Sequence, residues 1–124
     1  GIMYHVYMLR CRGGSLYTGI AADAEKRLRQ HLSGGAACAK YTRAHPPESL
    51  AALWQTADHA AAARLEALIK TLSPAKKRAL VSGAATPETV FPEKLAGLFY
   101  VRLPDEEARL NALLALWRSR GPAA

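Results

Sequence analysis

Two short β-type segments separated by a glycine-rich turn constrain the fold of this chain more than any other feature. Residues 4–11 are rich in aromatic and β-branched side chains and lack glycine and proline, as is typical of a strand. Residues 12–15 (Arg-Gly-Gly-Ser) indicate a turn, and residues 16–20 return with strand character. Together they predict an antiparallel hairpin. Gly19 marks a bulge or a close approach of another group to the backbone.

Helical patterns follow the hairpin. Asp23 and Asp58 are each suited to cap a helix, and Ser73-Pro74 is a third helix start. The expected elements are a helix over residues 24–32, a loop over 34–49, a strand over 50–56, and helices over 59–72 and 74–81.

The last third of the chain has a different composition. Thr86-Pro87-Glu88 suggests a short helix start, residues 98–103 resemble a strand, and an amphipathic helix follows Pro104. We therefore expect an α+β fold with a small three-stranded mixed or antiparallel sheet flanked by helices. Residues 1–82 would form one domain, and residues 83–124 an extension packed on that same domain.

Composition excludes several classes of protein. Half of the residues are hydrophobic and 22% are charged, which argues against long-range disorder. No apolar run approaches the roughly 18 residues of a transmembrane helix, and the N-terminal segment reads as a strand start rather than a signal peptide. Cys11 and Cys38 fit no disulfide or metal framework, and a zinc site with His31 and His45 has no matching spacing. A cytoplasmic protein with reduced thiols is expected.

The charge distribution indicates a polyanionic partner. The net charge is +7, and residues 1–45 carry seven basic and two acidic side chains. Nucleic acid is the usual partner of such a surface, although a basic surface also aids solubility.

Five side chains could support phosphodiester hydrolysis. Tyr7 and Tyr17 lie on adjacent predicted strands, Arg27 and His31 share a helix face at the border of the core, and Glu66 flanks an apolar helix stripe. A carboxylate can hold a divalent cation, an arginine can stabilise phosphate charge, and a phenol or imidazole can move a proton. The alternatives are packing tyrosines, a solvated Arg-His pair and a surface glutamate.

The ordered series of motifs resembles the GIY-YIG nucleases. His5-Val6-Tyr7 and Tyr17-Thr18-Gly19 resemble the two halves of the signature, followed by Arg27 and His31 at the family's spacing. Lys40-Tyr41-Thr42 resembles an element of small stand-alone bacterial members, and Glu66 with the residues after it resembles the metal-binding helix. The resemblance covers residues 4–82.

The resemblance implies roles for these residues. Tyr7 would be the general base or a partner of the attacking water, and Tyr17 would orient that water or the phosphate. Arg27 would neutralise phosphate charge, and His31 would assist proton transfer or hold the phosphate. Glu66 would be the single ligand of Mg²⁺ or Mn²⁺. A phenol with a pKa near 10 is a poor base at pH 7, so neighbouring cations are expected to lower the pKa of Tyr7.

Two basic groups are candidate DNA contacts. In the predicted loop, Tyr41 could stack on an unpaired base while its neighbours meet phosphates, or the loop could simply be solvated. Lys76-Lys77-Arg78 leaves the same two interpretations open. The expected DNA-binding residues are Lys40, Tyr41, Thr42, Arg43 and Lys70.

The sequence departs from the signature in three places. His5 replaces the first glycine, Thr18 replaces the isoleucine, and the only asparagine is Asn111, far from the asparagine that many members have after the metal helix. The expected activity is a metal-dependent DNA endonuclease acting on single-stranded or branched DNA, because a chain this small offers little surface for reading a long duplex site. The alternatives are an inactive nucleic-acid-binding module and an interaction domain that recruits a protein through its last helix.

Overall fold

A computed structural model describes residues 1–35 and 38–120. Within those ranges the chain forms four strands and six helices. The strands are β1 (Tyr4–Cys11), β2 (Leu16–Ala21), β3 (Pro47–Thr56) and β4 (Val101–Arg102). The helices are α1 (Ala24–Ser33), α2 (Lys40–Ala44), α3 (His59–Lys70), α4 (Pro74–Ser82), α5 (Pro87–Val90) and α6 (Pro104–Ser119).

The predicted hairpin forms β1 and β2, the first two strands of an antiparallel sheet. The strand order is β2-β1-β3-β4, and every neighbouring pair is antiparallel. Gly13 and Gly14 both have positive φ in the turn, which explains the glycines there. The predicted α+β class is confirmed, but the sheet has four strands rather than three.

Alternating side chains of the strands build a core on each face of the sheet. Val6 and Met8 pack with Leu65 and Ile69 of α3 on one face. Tyr7 and Leu9 point to the other face, where their core includes side chains of α1 and α6. The set of buried side chains on this second face is Tyr7, Leu9, Cys11, Ala24, Leu28, Leu50, Leu53, Leu110 and Leu114.

Side-chain caps explain where the main helices begin. Asp23 accepts a hydrogen bond from the backbone N–H of Lys26 at 3.0 Å, and Asp58 accepts one from Ala61 at 2.9 Å. α3 ends at Lys70, two residues before the predicted end. The largest difference is α2, since a helix occupies part of the predicted loop over residues 34–49.

The C-terminal segment forms less strand than predicted. Only Val101 and Arg102 pair with β3, whereas a strand was expected over residues 98–103. The preceding backbone bonds to side chains instead: Phe99 O accepts from the Thr56 hydroxyl, and Tyr100 N–H donates to Glu88. The division into residues 1–82 and 83–124 stays a prediction; Leu110 and Leu114 nevertheless share one core with Tyr7.

Among the described residues, no helix is long and apolar enough to cross a membrane. Cys11 and Cys38 are both buried and free.

Candidate active site at the edge of the sheet

The ring of Tyr7 packs against Gly19 of β2, the edge strand of the sheet. Tyr7 is paired with Gly19 in the hairpin register and is only 1% exposed. A Cβ atom on residue 19 would lie 2.5 Å from Cζ and 3.0 Å from Cε1 of Tyr7. Gly19 is therefore required because it leaves room for the ring, which confirms the expected close approach to the backbone.

The hydroxyl group of Tyr7 is hydrogen-bonded to His31. His31 Nε2 lies 2.7 Å from Tyr7 Oη, and His31 Nδ1 lies 2.6 Å from Thr42 Oγ1. The imidazole is 2% exposed, so it is buried rather than at the border of the core, and a solvated helix face is wrong for this residue. A chain of hydrogen bonds thus joins β1, α1 and α2.

Burial sets the protonation of both rings. Burial raises the pKa of Tyr7 well above its ordinary value, Tyr17 and Glu66 act in the same direction, and Arg27 opposes them. The expectation that cations would lower this pKa is wrong in its net direction because burial outweighs Arg27. Burial, and then the charge of Arg27, lower the pKa of His31 to about 4, so the imidazole is neutral at pH 7.

Arg27 and Glu66 come from helices that pack on different faces of the sheet, and the charges of both act on the pKa of Tyr7. The half-buried guanidinium of Arg27 reaches Tyr7 and also donates to Gln30 Oε1 at 2.9 Å. Glu66 projects from α3, which packs on the other face of the sheet. Its charge raises the pKa of Tyr7, so Glu66 lies within electrostatic range of the phenol. We call Tyr7, Tyr17, Arg27, His31 and Glu66 the candidate cluster.

The candidate cluster offers one carboxylate to a metal ion. Within the described residues, no three side chains of His, Cys, Asp or Glu are grouped to hold a metal together. Glu66 is 24% exposed and is paired with Lys70 Nζ at 3.3 Å. Mg²⁺ commonly binds through one or two carboxylates, several waters and the substrate phosphate, so a single accessible glutamate fits that ion.

Stacked rings extend from the candidate cluster to the surface. Tyr17 packs edge-on against His31, and its ring lies nearly parallel to that of Tyr41, with centroids 5.6 Å apart. Tyr41 also stacks on His45 at 4.3 Å, and its hydroxyl donates to Ser15. Because two rings already stack on Tyr41, a base could not stack on it without displacing one of them. The exposed end of this stack is His45.

The other four residues predicted to contact DNA differ in their exposure and in their hydrogen-bond partners. Lys40 is exposed at the first position of α2, whereas Thr42 is buried against His31. Arg43 donates to the backbone carbonyls of Gly35 and Cys38, so it holds the segment before α2. Lys70 lies beside Glu66 and lines a neighbouring pocket.

Asn111 lies away from the candidate cluster and does not supply the family's asparagine. Its amide exchanges two hydrogen bonds with the backbone of Leu50, at 2.8 and 3.0 Å. Its role in this chain is therefore to bind β3 to α6.

Sequence reasoning missed two features of the site. The partnership of Thr42 with His31 crosses 11 positions, and no local periodicity indicates it. The stack of His45 on Tyr41 has a weak signal, since the two residues are four positions apart, as neighbours on one helix face are.

Comparison with known proteins is consistent with this geometry. A sequence model of the GIY-YIG catalytic domain matches residues 3–79. A UPF0213 protein of Xanthomonas axonopodis pv. citri is 40% identical over 100 residues, covering 81% of this chain and 94% of the relative. A UPF0213 protein of Halalkalibacterium halodurans is 43% identical over 79 residues, covering 64% of this chain and 82% of the relative.

A solved structure is also similar. The solution NMR structure of a UPF0213 protein from Bacillus halodurans has 39% sequence identity and a TM-score of 0.44, and it covers 76% of this chain and 97% of that one. The domain match spans more than half of the chain and includes every member of the candidate cluster. This chain therefore belongs to the GIY-YIG family, a superfamily of nucleases.

Proposed function

We propose that this protein is a divalent-metal-dependent DNA endonuclease that hydrolyses phosphodiester bonds. The observation that carries the proposal is the hydrogen-bonded series Tyr7–His31–Thr42, in which the charges of Arg27 and Glu66 both act on the phenol. A packing tyrosine needs no buried imidazole as its partner. A phenol that passes on a proton needs a base within hydrogen-bond distance, and His31 is such a base.

Thr42 determines which nitrogen of His31 carries the proton. A threonine hydroxyl has one proton, and Thr42 directs it to Ala39 O at 3.2 Å. Thr42 Oγ1 is then an acceptor for His31 Nδ1–H. The lone pair of His31 Nε2 therefore faces the Tyr7 hydroxyl, which donates to it.

Tyr7 would then act as a proton relay rather than as a free phenolate. As water attacks phosphorus, its proton moves to Tyr7 Oη and the phenolic proton moves to His31 Nε2. The new P–O bond forms while the bond to the leaving oxygen breaks, and that oxygen takes a proton from solvent. Negative charge arriving with the phosphate would favour the imidazolium that forms.

Arg27 and Glu66 complete the proposed site. Arg27 would neutralise charge on the pentavalent phosphate, and Tyr17 would orient the phosphate from its position against His31. Glu66 would hold Mg²⁺ or Mn²⁺, with Lys70 giving up its ion pair. The bound cation would supply charge stabilisation at the phosphate oxygens.

Single-stranded or branched DNA is the favoured substrate. Phosphate contacts from Lys40 and Lys70 would position the strand without reading sequence. The ring stack from Tyr17 to His45 would favour unpaired bases, since stacking tolerates any base.

The test is cleavage of labelled single-stranded, duplex and branched DNA with Mg²⁺ or Mn²⁺. The wild-type protein is expected to cut single-stranded or branched substrates, and Glu66→Ala is expected to lose cleavage while binding DNA. Lys94→Ala, an exposed change outside the candidate cluster, is the control and should cut normally. Binding without cleavage by the wild-type protein would instead support an inactive binding module.

A further inference from the structure

A basic pocket of about 410 Å³ opens beside the candidate cluster. It lies where the β1–β2 turn faces the end of α3 and the start of α4. Four cationic side chains from three elements line it, and none of its lining residues in the described chain is acidic. These side chains are Arg10, Lys70, Lys77 and Arg78. Gathering like charges around one concavity is unfavourable unless an anion joins them.

A buried hydroxyl in the wall of the basic pocket has no partner. Thr18 lines the pocket and is 3% exposed. Within residues 1–35 and 38–120, Thr18 Oγ1 makes no hydrogen bond. Leaving a buried polar group unpaired costs free energy, and a ligand oxygen that accepted a hydrogen bond from Thr18 would remove that cost.

The basic pocket adjoins the candidate cluster through two shared side chains. Tyr17 lines the pocket and also packs against His31. Lys70 lines the pocket and also pairs with Glu66. An anion in the pocket would therefore lie one side chain away from the reacting phosphate.

We propose that the basic pocket binds a backbone phosphate of the substrate strand next to the scissile phosphate, through Arg10, Lys77, Arg78 and the Thr18 hydroxyl. This inference rests on the proposed nuclease function. The sequence left open whether Lys76, Lys77 and Arg78 contact DNA or are simply solvated. The proposal assigns a phosphate contact to Lys77 and Arg78 but not to Lys76, which does not line the pocket.

The chain offers a matched pair of variants. Lys77→Ala and Lys76→Ala remove the same charge from adjacent positions of α4, but only Lys77 lines the basic pocket. Binding of a fluorescein-labelled oligothymidylate is measured by anisotropy in EDTA at several salt concentrations, so that no cleavage interferes. Thermal unfolding of every variant checks the fold.

Lys77→Ala is expected to weaken binding by about tenfold. It should also reduce the magnitude of the slope of log K against log [salt] by about 0.7, the value of one phosphate contact on a single strand. Lys76→Ala should stay within about twofold of wild type. Thr18→Val should also weaken binding while unfolding at an equal or higher temperature. A hydroxyl with a structural role would lower that temperature.

The outcomes separate the two proposals. Equal effects of Lys77→Ala and Lys76→Ala would overturn the pocket while leaving cleavage intact. Loss of binding in Lys77→Ala alone, with no cleavage by the wild-type protein, would support the pocket and overturn the nuclease. No binding of the strand by the wild-type protein would overturn the pocket, whereas the nuclease is judged by the cleavage assay on all three substrates.

Discussion

At the scale of single residues, burial rather than nearby charge determines the chemistry of this site. Tyr7 and His31 are almost fully enclosed, and their pKa values move in opposite directions, each toward the neutral form. Moving the phenolic proton to the neutral imidazole creates an imidazolium, which a nearby negative charge would stabilise. The pair is therefore suited to a relay that operates only when a phosphate brings negative charge nearby.

The buried imidazole makes stability depend on pH. The pKa of His31 is about 4 in the folded protein and about 6.5 in the unfolded chain, so the unfolded chain binds the proton more tightly. The contribution of neutral His31 is complete above pH 6.5 and is lost as pH falls toward 4, by on the order of 3 kcal/mol. Urea unfolding at pH 7.5, 6 and 5 should show this decline, and His31→Gln should lack that part of it.

The His31→Gln comparison separates this effect from the carboxylates that titrate in the same range. Those groups are common to both proteins, so the difference between the two stability curves reports His31 alone. Parallel curves from pH 7.5 to 5 would contradict a neutral, buried imidazole.

At the scale of elements, short α2 positions the residue that orients His31. This helix has five residues, too few for a hydrophobic period, so its sequence resembles a loop. Capped helices were predictable because Asp23 and Asp58 act locally. The length of β4 was less predictable, since a strand was expected over residues 98–103 but only Val101 and Arg102 pair with β3.

Thr42 of α2 is expected to be a positioning residue. Thr42→Val keeps the shape but removes the acceptor for His31 Nδ1–H. The expected result is a kcat lower by about tenfold or more with KM little changed, because the wrong tautomer would face Tyr7. Steady-state cleavage kinetics measure this, and Thr42→Ser should restore the rate. An unchanged kcat in the valine variant would remove Thr42 from the mechanism.

The candidate site was predictable because its residues carry distinctive chemistry, whereas its surroundings were not. Tyr7 and His31 are distant along the chain, and the order of the motifs that contain them placed both in one candidate site; their side chains are hydrogen-bonded in the structure. The basic pocket was not indicated, since Arg10 joins Lys77 only through the packing of the hairpin against α3 and α4. Contacts that depend on tertiary packing leave little periodic signal in one sequence.

At the scale of the whole molecule, the C-terminal segment neutralises its own charge and covers an open strand edge. Arg102 pairs with Glu107, and Arg109 bridges Glu25 and Glu106. The side chains of Glu107 and Asn111 also bond to the backbone of β3, beyond its short pairing with β4. The net positive charge of the chain therefore comes from residues 1–82.

Removing the bridge between α6 and β3 should destabilise the fold. Asn111→Ala leaves the N–H and C=O of Leu50 without their partners, so the free energy of unfolding should fall by about 2–3 kcal/mol. Leu116→Ala, at an exposed position of the same helix, should change it by less than about 0.5 kcal/mol. Equal stability of the two variants in urea would show that the bridge contributes little.

The most direct test of the central claim is the cleavage rate of Tyr7→Phe on single-stranded DNA with Mg²⁺ or Mn²⁺, measured beside its DNA affinity. The substitution removes only the hydroxyl that is hydrogen-bonded to His31. The relay predicts a rate lower by at least about 100-fold, with affinity within about twofold of wild type. Full cleavage by Tyr7→Phe would contradict the account, because the chemistry would then proceed without the phenol at the centre of the site.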